Sequence, residues 1–273
     1  MTAAHARLVG LARELAGQPR LLPTTALLLR ARTVRPSAAF IARERAHGRG
    51  TYVYRLRENG LRVAIRHGTG DVVTLGEVFH EHDYRPPAEL EPRLKDIEKI
   101  VDLGANIGLF GAFAAGCWPR AQILAFEPDP DNAAVHARTI ELNALHERWK
   151  LVQAAAGSHD GNAAFLAGNV ALSRLADAGD RHTIEVPVQD VLARLAEADL
   201  VKMDIEGGEW AILSDPRFRG SPPRTLVLEY HPHLCPSGEP AAIAGSLLAE
   251  AGMTVKTMWQ RADGHGMLWA WRS

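Results

Sequence analysis

Cysteine is scarce in this sequence: Cys117 and Cys235 are the two in a chain of 273 residues. Two such distant thiols exclude a disulfide-built scaffold and a thiolate cage for zinc or an iron–sulfur cluster. Cys117 reads as a core residue of a helix and Cys235 as a loop residue. A surplus of either charge is missing as well, since 31 basic against 32 acidic residues leave a formal net charge of −1. That balance gives no electrostatic case for a nucleic acid or an anionic membrane surface as partner. The local basic zone of Arg32, Arg35, Arg43, Arg45 and Arg49 reads as solvated surface. Long apolar runs are absent too. Residues 21–29 are interrupted by Pro23 and two threonines and fall far short of the ~20 residues of a membrane span. The N-terminus shows no apolar stretch followed by a small-residue cleavage site, so no secretory signal is read there. The expectation is a cytoplasmic protein with neither membrane nor nucleic acid as partner.

What is present is apolar side chain in quantity, 47% of the residues, enough for one large domain and an appendage. Residues 1–48 read as two or three short helices punctuated by Gly17, Pro19, Pro23 and Pro36. The first carries Leu8, Leu11 and Leu15 at helical spacing, with Arg7 and Glu14 opposite, and reads as a packing or dimer helix. The stretch YVYRLRENGLRVAI alternates on both sides of Asn59-Gly60, which predicts a hairpin. Residues 71–84 read as one helix leading to the break at Pro86-Pro87.

From residue 97 the rhythm changes to short apolar strands alternating with helices, the pattern of a parallel sheet wound by right-handed crossovers. Strands are expected over 100–103, 122–126, 149–155, 200–204 and 225–230, with helices over 107–116, 131–143 and 241–251. A closing hairpin joins TVKTMWQ to GMLWAW through residues 262–265. The chain therefore divides into an appendage, 1–95, that caps an acceptor or makes a dimer, and a domain over 96–273. No internal repeat or low-complexity tether separates them.

Chemistry concentrates where the first strands end. VDLGANIGLF (101–110) sets Asp102, Gly104, Asn106 and Gly108 in the pattern D-x-G-x-N-x-G, and AQILAFEPDP (121–130) brings Glu127 and Pro128 to the end of the second strand. In such a sheet, ligands lie beyond the carboxyl ends of the strands, where a glycine turn lets backbone come close and helix-start amides face the ligand. The third glycine of a dinucleotide fingerprint is missing, and an acid before the glycines opposes a pyrophosphate. It suits a ligand with an amino group and a sulfonium, while Glu127 is placed to accept hydrogen bonds from ribose hydroxyls. Together these point to S-adenosylmethionine, with Gln153 and Ala154 at the end of the third strand and Tyr84 ahead of the glycine turn as further cofactor contacts.

At this point the sequence resembles the FkbM-type methyltransferases, a branch of the class I S-adenosylmethionine-dependent enzymes. The resemblance is carried by VDLGANIGLF, FEPDP, VKMDIEGGEWAIL and LVLEYHP, and more loosely by EVFHEHDY, across residues 71–231; the first 50 residues are not covered. It implies a Rossmann-like α/β fold with a doubly wound, mostly parallel seven-stranded sheet and a C-terminal antiparallel hairpin. It also implies cofactor at the glycine loop and methyl transfer to a hydroxyl of a sugar or secondary metabolite. The family's aspartate after an apolar residue stands here as Asp190 in Val188-Gln189-Asp190, from which no role is drawn.

The two later motifs also have a chemical reading of their own. In-line methyl transfer draws most of its acceleration from positioning, and a base helps an alcohol lose its proton. Asp204 and Glu206 end the fourth strand, Glu229 and His231 the fifth. Asp204, His231 and Glu229 are the candidates for that proton chemistry, and Asp204 is also a candidate cofactor contact. His231 suits a base by its ordinary pKa of about 6.5, although Pro232 after it also fits a structural role. Glu209 reads as a helix-start cap, and Lys202, sharing a face with Asp204, as the partner of Asp102. Asp204, Glu206, Glu229 and His231 form an oxygen-rich set able to hold a divalent ion, which leaves metal assistance open, although spacing alone assigns none of them as a ligand. The run His80-Glu81-His82-Asp83 does not place its groups on one helix face, which leaves Tyr84 as that segment's contact with the methionine end of the cofactor. Methylation at carbon or nitrogen, and a silent cofactor-fold partner, stand as alternatives; intact Asp102, Gly104, Gly108 and Glu127 argue against the silent partner. A dehydrogenase lacks its third glycine.

Overall fold

Apolar runs that stop at an acid form the centre of the molecule. The computed structural model describes residues 24–46, 50–166, 174–175 and 183–272. In chain order the elements begin with helix α1 (Thr24–Ala31), strand β1 (Val34–Arg35), helix α2 (Ser37–Arg45) and the hairpin β2 (Thr51–Leu56) and β3 (Arg62–Arg66). Helix α3 (Asp71–Gly76) widens into a π turn over Glu77–Glu81, and a 3-10 turn covers Glu91–Leu94. Then come β4 (Lys99–Leu103), α4 (Leu109–Cys117), β5 (Gln122–Phe126), α5 (Pro130–Leu142) and β6 (Trp149–Val152). They are followed by β7 (Ala155–Gly157), β8 (Gly161–Leu166), β9 (Arg174–Leu175), β10 (Thr183–Asp190), α6 (Leu192–Ala196) and β11 (Leu200–Met203). The last elements are α7 (Glu209–Leu213), α8 (Pro216–Gly220), β12 (Thr225–Tyr230), α9 (Pro240–Glu250), β13 (Met253–Gln260) and β14 (Gly266–Arg272).

The main sheet has seven strands in the order β13-β14-β12-β11-β4-β5-β6, with β12, β11, β4, β5 and β6 parallel and β14 antiparallel to both neighbours. This is the doubly wound sheet with a C-terminal hairpin that the rhythm of the sequence implies. Its central strands β4, β11 and β12 are buried on both faces, which explains their continuous apolar runs. One core joins Ile100, Leu200 and Val227 to α4 and to the hairpin; the other joins Val101, Val201, Leu226 and Leu228 to α6, α7 and α9. Period two thus assigns alternate residues of each strand to opposite cores.

The N-terminal elements are fastened to the sheet's first helices. Asn59 Nδ2 donates to Ala112 O at 2.9 Å, Arg62 N to Asn143 Oδ1 at 2.8 Å and Ala64 N to Thr139 Oγ1 at 3.1 Å. Leu27, Phe40, Tyr54 and Ile65 share one core with Phe110 and Trp149. The helix carrying Leu8, Leu11 and Leu15 lies outside the described residues.

Four local expectations change. The hairpin forms, but Leu56 N bonds to Leu61 O, so the turn spans residues 57–60, with Gly60 at φ 77°. The single helix expected over 71–84 is α-helical only to Gly76 and ends at His82 in a left-handed conformation, φ 60°. The strand expected over 149–155 stops at Val152; Ala155–Gly157 instead pairs with β10 in a separate sheet ordered β7-β10-β8-β9, which the sequence reading missed. Cys117 is exposed at the outer end of α4 rather than in the core.

Candidate active site

The carboxyl ends of β4, β5, β11 and β12 lie side by side, so the acids that close those strands converge. Asp102 pairs in register with Lys202, and Asp102, Lys202 and Glu229 fall on the face of the sheet that carries Ile100, Leu200 and Val227.

The glycine turn after β4 is shaped by protein on its inner side. Gly104 has φ 71°, and a Cβ there would lie 1.8 Å from the carbonyl oxygen of Asp204. Two strand ends therefore touch backbone to backbone, which only glycine allows. Gly108, φ 84°, precedes α4, where a Cβ would meet the His136 ring at 2.6 Å. His136 is fully buried against Trp149, and burial pushes its pKa down to about 3, so it is a neutral ring under the loop.

Glu127 organises this loop from below. Its Oε2 accepts from Asn106 N at 2.7 Å, and its Oε1 from Asp129 N at 2.9 Å and Asn132 Nδ2 at 3.5 Å. Asp129 caps α5 by accepting from Asp131 N and Asn132 N, with Pro130 next, a capping signal legible in the sequence. Burial pushes Glu127 up to about 7 against the pull of those amides. Pro128 is half-buried, Ala154 buried and Gln153 exposed beyond the end of β6.

Asp102 is fully buried, with neither carboxylate oxygen hydrogen-bonded. Its neighbour is Lys202, whose Nζ stands 3.6 Å away, 3.3 Å from Asp204 Oδ2, and donates to the carbonyls of Leu103 and Gly104 at 3.2 and 2.7 Å. Burial raises Asp102 to about 6, a shift that Lys202 limits. The structure thus brings Asp102 to Lys202 beneath the loop, as the shared strand face implied, rather than to the loop's surface. Asp204, a quarter exposed, is held below the ordinary aspartate range because Lys202 and His231 outweigh its burial. Tyr84 Oη donates to Asp204 Oδ2 at 3.2 Å, so this buried tyrosine sits on the acid.

His231 is buried in a carboxylate cage. Glu209 Oε1 accepts from His231 N at 2.7 Å and lies 3.1 Å from Nδ1, while Nε2 stands 3.5 Å from Glu206 and 3.8 Å from Asp204. Burial opposes a charge on the ring, but Glu209, Glu206 and Asp204 together push His231 up to about 10. The free imidazole of a general base is therefore not its form at neutral pH. Burial raises Glu206 to about 7; burial and then Asp204 raise Glu229 to about 8. Glu209 does more than cap: its other oxygen accepts from Gly207 N at 2.8 Å, and Trp210 Nε1 donates to the carbonyls of His231 and His233, both at 3.0 Å. The start of α7 thereby grips the chain beyond β12. No spacing rule links Glu209 to His231, so sequence reasoning missed the contact.

A concavity of about 680 Å³ lies away from these residues, between β2, β3 and the end of α5, lined by Arg35, Arg55, Arg62 and Asn143 among others. Since α5 starts at the carboxyl edge of the sheet and runs back, this groove belongs to the opposite edge.

Residues 102–242 match the model of the methyltransferase FkbM domain. The chain belongs to the FkbM methyltransferase family. It is 31% identical over 174 residues to methyltransferase sdnD of Sordaria araneosa, covering 50% of this chain and 65% of that protein, just under two thirds. It is 26% identical over 183 residues to methyltransferase 1 of Beauveria bassiana, covering 57% of this chain and 72% of that one. Precorrin-6y C5,15-methyltransferase of Geobacter metallireducens superposes with a TM-score of 0.40 at 16% identity, covering 66% of this chain and 83% of that structure. Membership of the FkbM family makes S-adenosylmethionine the cofactor, and the residues fit it. Gly104 and Asn106 are part-exposed on the loop above Glu127, and Asp204 stays ionised at the neighbouring strand end. Among the described residues, no helix is long and apolar enough to cross a membrane.

Proposed function

We propose that this chain is an O-methyltransferase acting on a hydroxyl of a sugar or secondary metabolite. The observation that carries the reading is Asp204: ionised, part-exposed, and fixed by Lys202 and Tyr84 at the strand ends beside the glycine loop. When bound, S-adenosylmethionine supplies an electrophilic methyl group. Glu127 holds the loop and takes the ribose hydroxyls, Asp204 orients the acceptor hydroxyl and draws its proton, and His231 and Glu209 fix the loop that carries Glu206. Residues 1–95 shape the acceptor side, a reading supported by Tyr84 reaching Asp204 from that segment. Incubation with methyl-labelled cofactor and a panel of hydroxyl, amine and activated-carbon acceptors tests the reading. An O-methyl ether is expected, and an N- or C-methyl product from the preferred acceptor overturns it.

On that acceptor, Asp204→Asn should lower kcat by about 100-fold or more, the usual contribution of a positioned proton acceptor. A fall confined to KM, with kcat intact, would show that Asp204 binds without easing the proton's departure.

Cofactor binding should also depend on pH through Glu127. Ribose hydroxyls donate to the carboxylate, so binding favours the ionised form of a group that burial holds at about 7. Of the charged groups around it, Asp129 resists that ionisation. Affinity for S-adenosylhomocysteine should therefore fall as pH drops through 7, by up to about tenfold per unit, and level off above pH 8. Calorimetry at pH 6 and 8 checks this, and Glu127→Gln should flatten the difference. An equally steep slope in Glu127→Gln would assign it to Asp102 instead.

A further inference from the structure

Three donor atoms from two strand ends meet in one place: Asp204 Oδ1, Glu206 Oε2 and His231 Nε2. All three lie within 4.8 Å of one another. Around an ion with ligands at about 2.1 Å, adjacent octahedral donors stand about 3.0 Å apart, so the separations of 3.5 and 3.8 Å from Nε2 need only a small contraction.

Acidic side chains alone make no such site, and here the histidine adds an independent observation. His231 is 3% exposed, and its Nδ1 is taken by Glu209, itself fully buried. The Glu209 carboxylate on one ring nitrogen fixes the ring's orientation, so that a cation entering at Nε2 displaces the proton held there and takes its lone pair, the arrangement that supports metal-bound histidines. Nε2 makes no hydrogen bond among the described residues; it points at Glu206 and Asp204. The two oxygens of Asp204 are divided in the same sense. Oδ2 is used by Lys202 at 3.3 Å and Tyr84 at 3.2 Å, which leaves Oδ1 to face His231.

We propose that Asp204, Glu206 and His231 bind one divalent cation, with open positions for water and for the acceptor's hydroxyl oxygen. Two carboxylate oxygens and one imidazole nitrogen, without sulfur, suit Mn2+ and, more weakly, Mg2+. An ion there polarises the hydroxyl and helps to orient it, which eases the transfer of its proton to Asp204. That use of the ion rests on the methyltransferase reading; the binding itself does not.

The test is Mn2+ titration of the full chain, free of cofactor, followed by electron paramagnetic resonance and by thermal unfolding. One Mn2+ per chain should lose its free-ion signal and raise the unfolding midpoint, and Mg2+ should displace it. Glu206→Gln should weaken binding at least about tenfold, and Glu209→Gln, which touches no ion but frees the His231 ring, about tenfold as well. If one of these variants melts like an unfolded chain, the other carries the comparison. The proposal is overturned if Mn2+ stays free at millimolar concentration beside protein that binds S-adenosylhomocysteine in calorimetry, or if both folded variants bind Mn2+ as the parent does. Should Mn2+ bind at these residues while S-adenosylhomocysteine does not, the cation site stands and the cofactor reading fails.

Discussion

Gly104→Ala should destabilise the protein by about 3 kcal/mol or more, the combined scale of a left-handed non-glycine residue and an overpacked contact. The backbone at Gly104 has φ 71°, and the new Cβ would fall 1.8 Å from the carbonyl oxygen of Asp204. Neither atom is at the end of a flexible side chain, so the clash is relieved only by separating β4 from β11. Those strands are bonded in register from Leu200–Ile100 to Met203–Leu103, and Asp204 N still reaches Leu103 O at 3.2 Å. Lys202, which donates to Gly104 O, would lose its seat in the same movement. Urea unfolding checks the stability, and calorimetry should show S-adenosylhomocysteine binding lost with it. Gly245→Ala is the control: it lies in α9 with nothing within 4 Å of the added carbon, and should be neutral or slightly stabilising. Equal unfolding midpoints for Gly104→Ala and the parent would mean that the two strand ends are not pressed together.

This contact also shows which parts of the site a sequence reveals. Asp102, Glu127, Asp204 and Glu229 were legible because each closes an apolar run, and a parallel sheet brings its carboxyl ends to one edge whatever the loops do. The glycines were legible as a tight turn, but not their reason: the neighbour filling the space at Gly104 is the backbone of residue 204, and at Gly108 the ring of His136. Glu209 was read as a helix-start acid because its first-turn position suffices for that. Its hold on His231 depends on where α7 docks, and nothing local encodes it. The separate sheet was hidden for other reasons. Ala155–Gly157 is three small residues, and Pro187 interrupts β10. The fold tolerates that proline because β10 has only β8 beside it there, the pairing with β7 starting at Val188. The fold's outline follows from patterns of period and punctuation, whereas the chemistry depends on contacts between segments that no pattern relates.

Lys202→Met should cost about 3–5 kcal/mol, the scale for breaking a buried ion pair from one side. Lys202 is 3% exposed and serves four partners: the carboxylates of Asp102 and Asp204 and the carbonyls of Leu103 and Gly104. Asp102 has no hydrogen bond at either oxygen, so without the ammonium it is an isolated buried charge and takes up a proton instead. Asp102 already sits at about 6 with Lys202 in place, so its removal moves the group above neutrality. That shift sets the sign of the pH response. A carboxyl raised above its unfolded value contributes stability below that value, and the contribution is lost as pH rises through the folded pKa. The Lys202→Met deficit should therefore grow between pH 6 and pH 8. Replacing both members separates the lost pair from the stranded acid. Lys202→Met with Asp102→Asn should recover much of the loss and flatten its pH dependence, because a neutral pair has no charge to bury. Urea unfolding of the two single variants and the double variant at pH 6 and pH 8 measures all of this. A double variant as unstable as Lys202→Met alone, with the same pH slope, would move the origin of the loss to Asp204 and the loop carbonyls and leave Asp102 without a structural part.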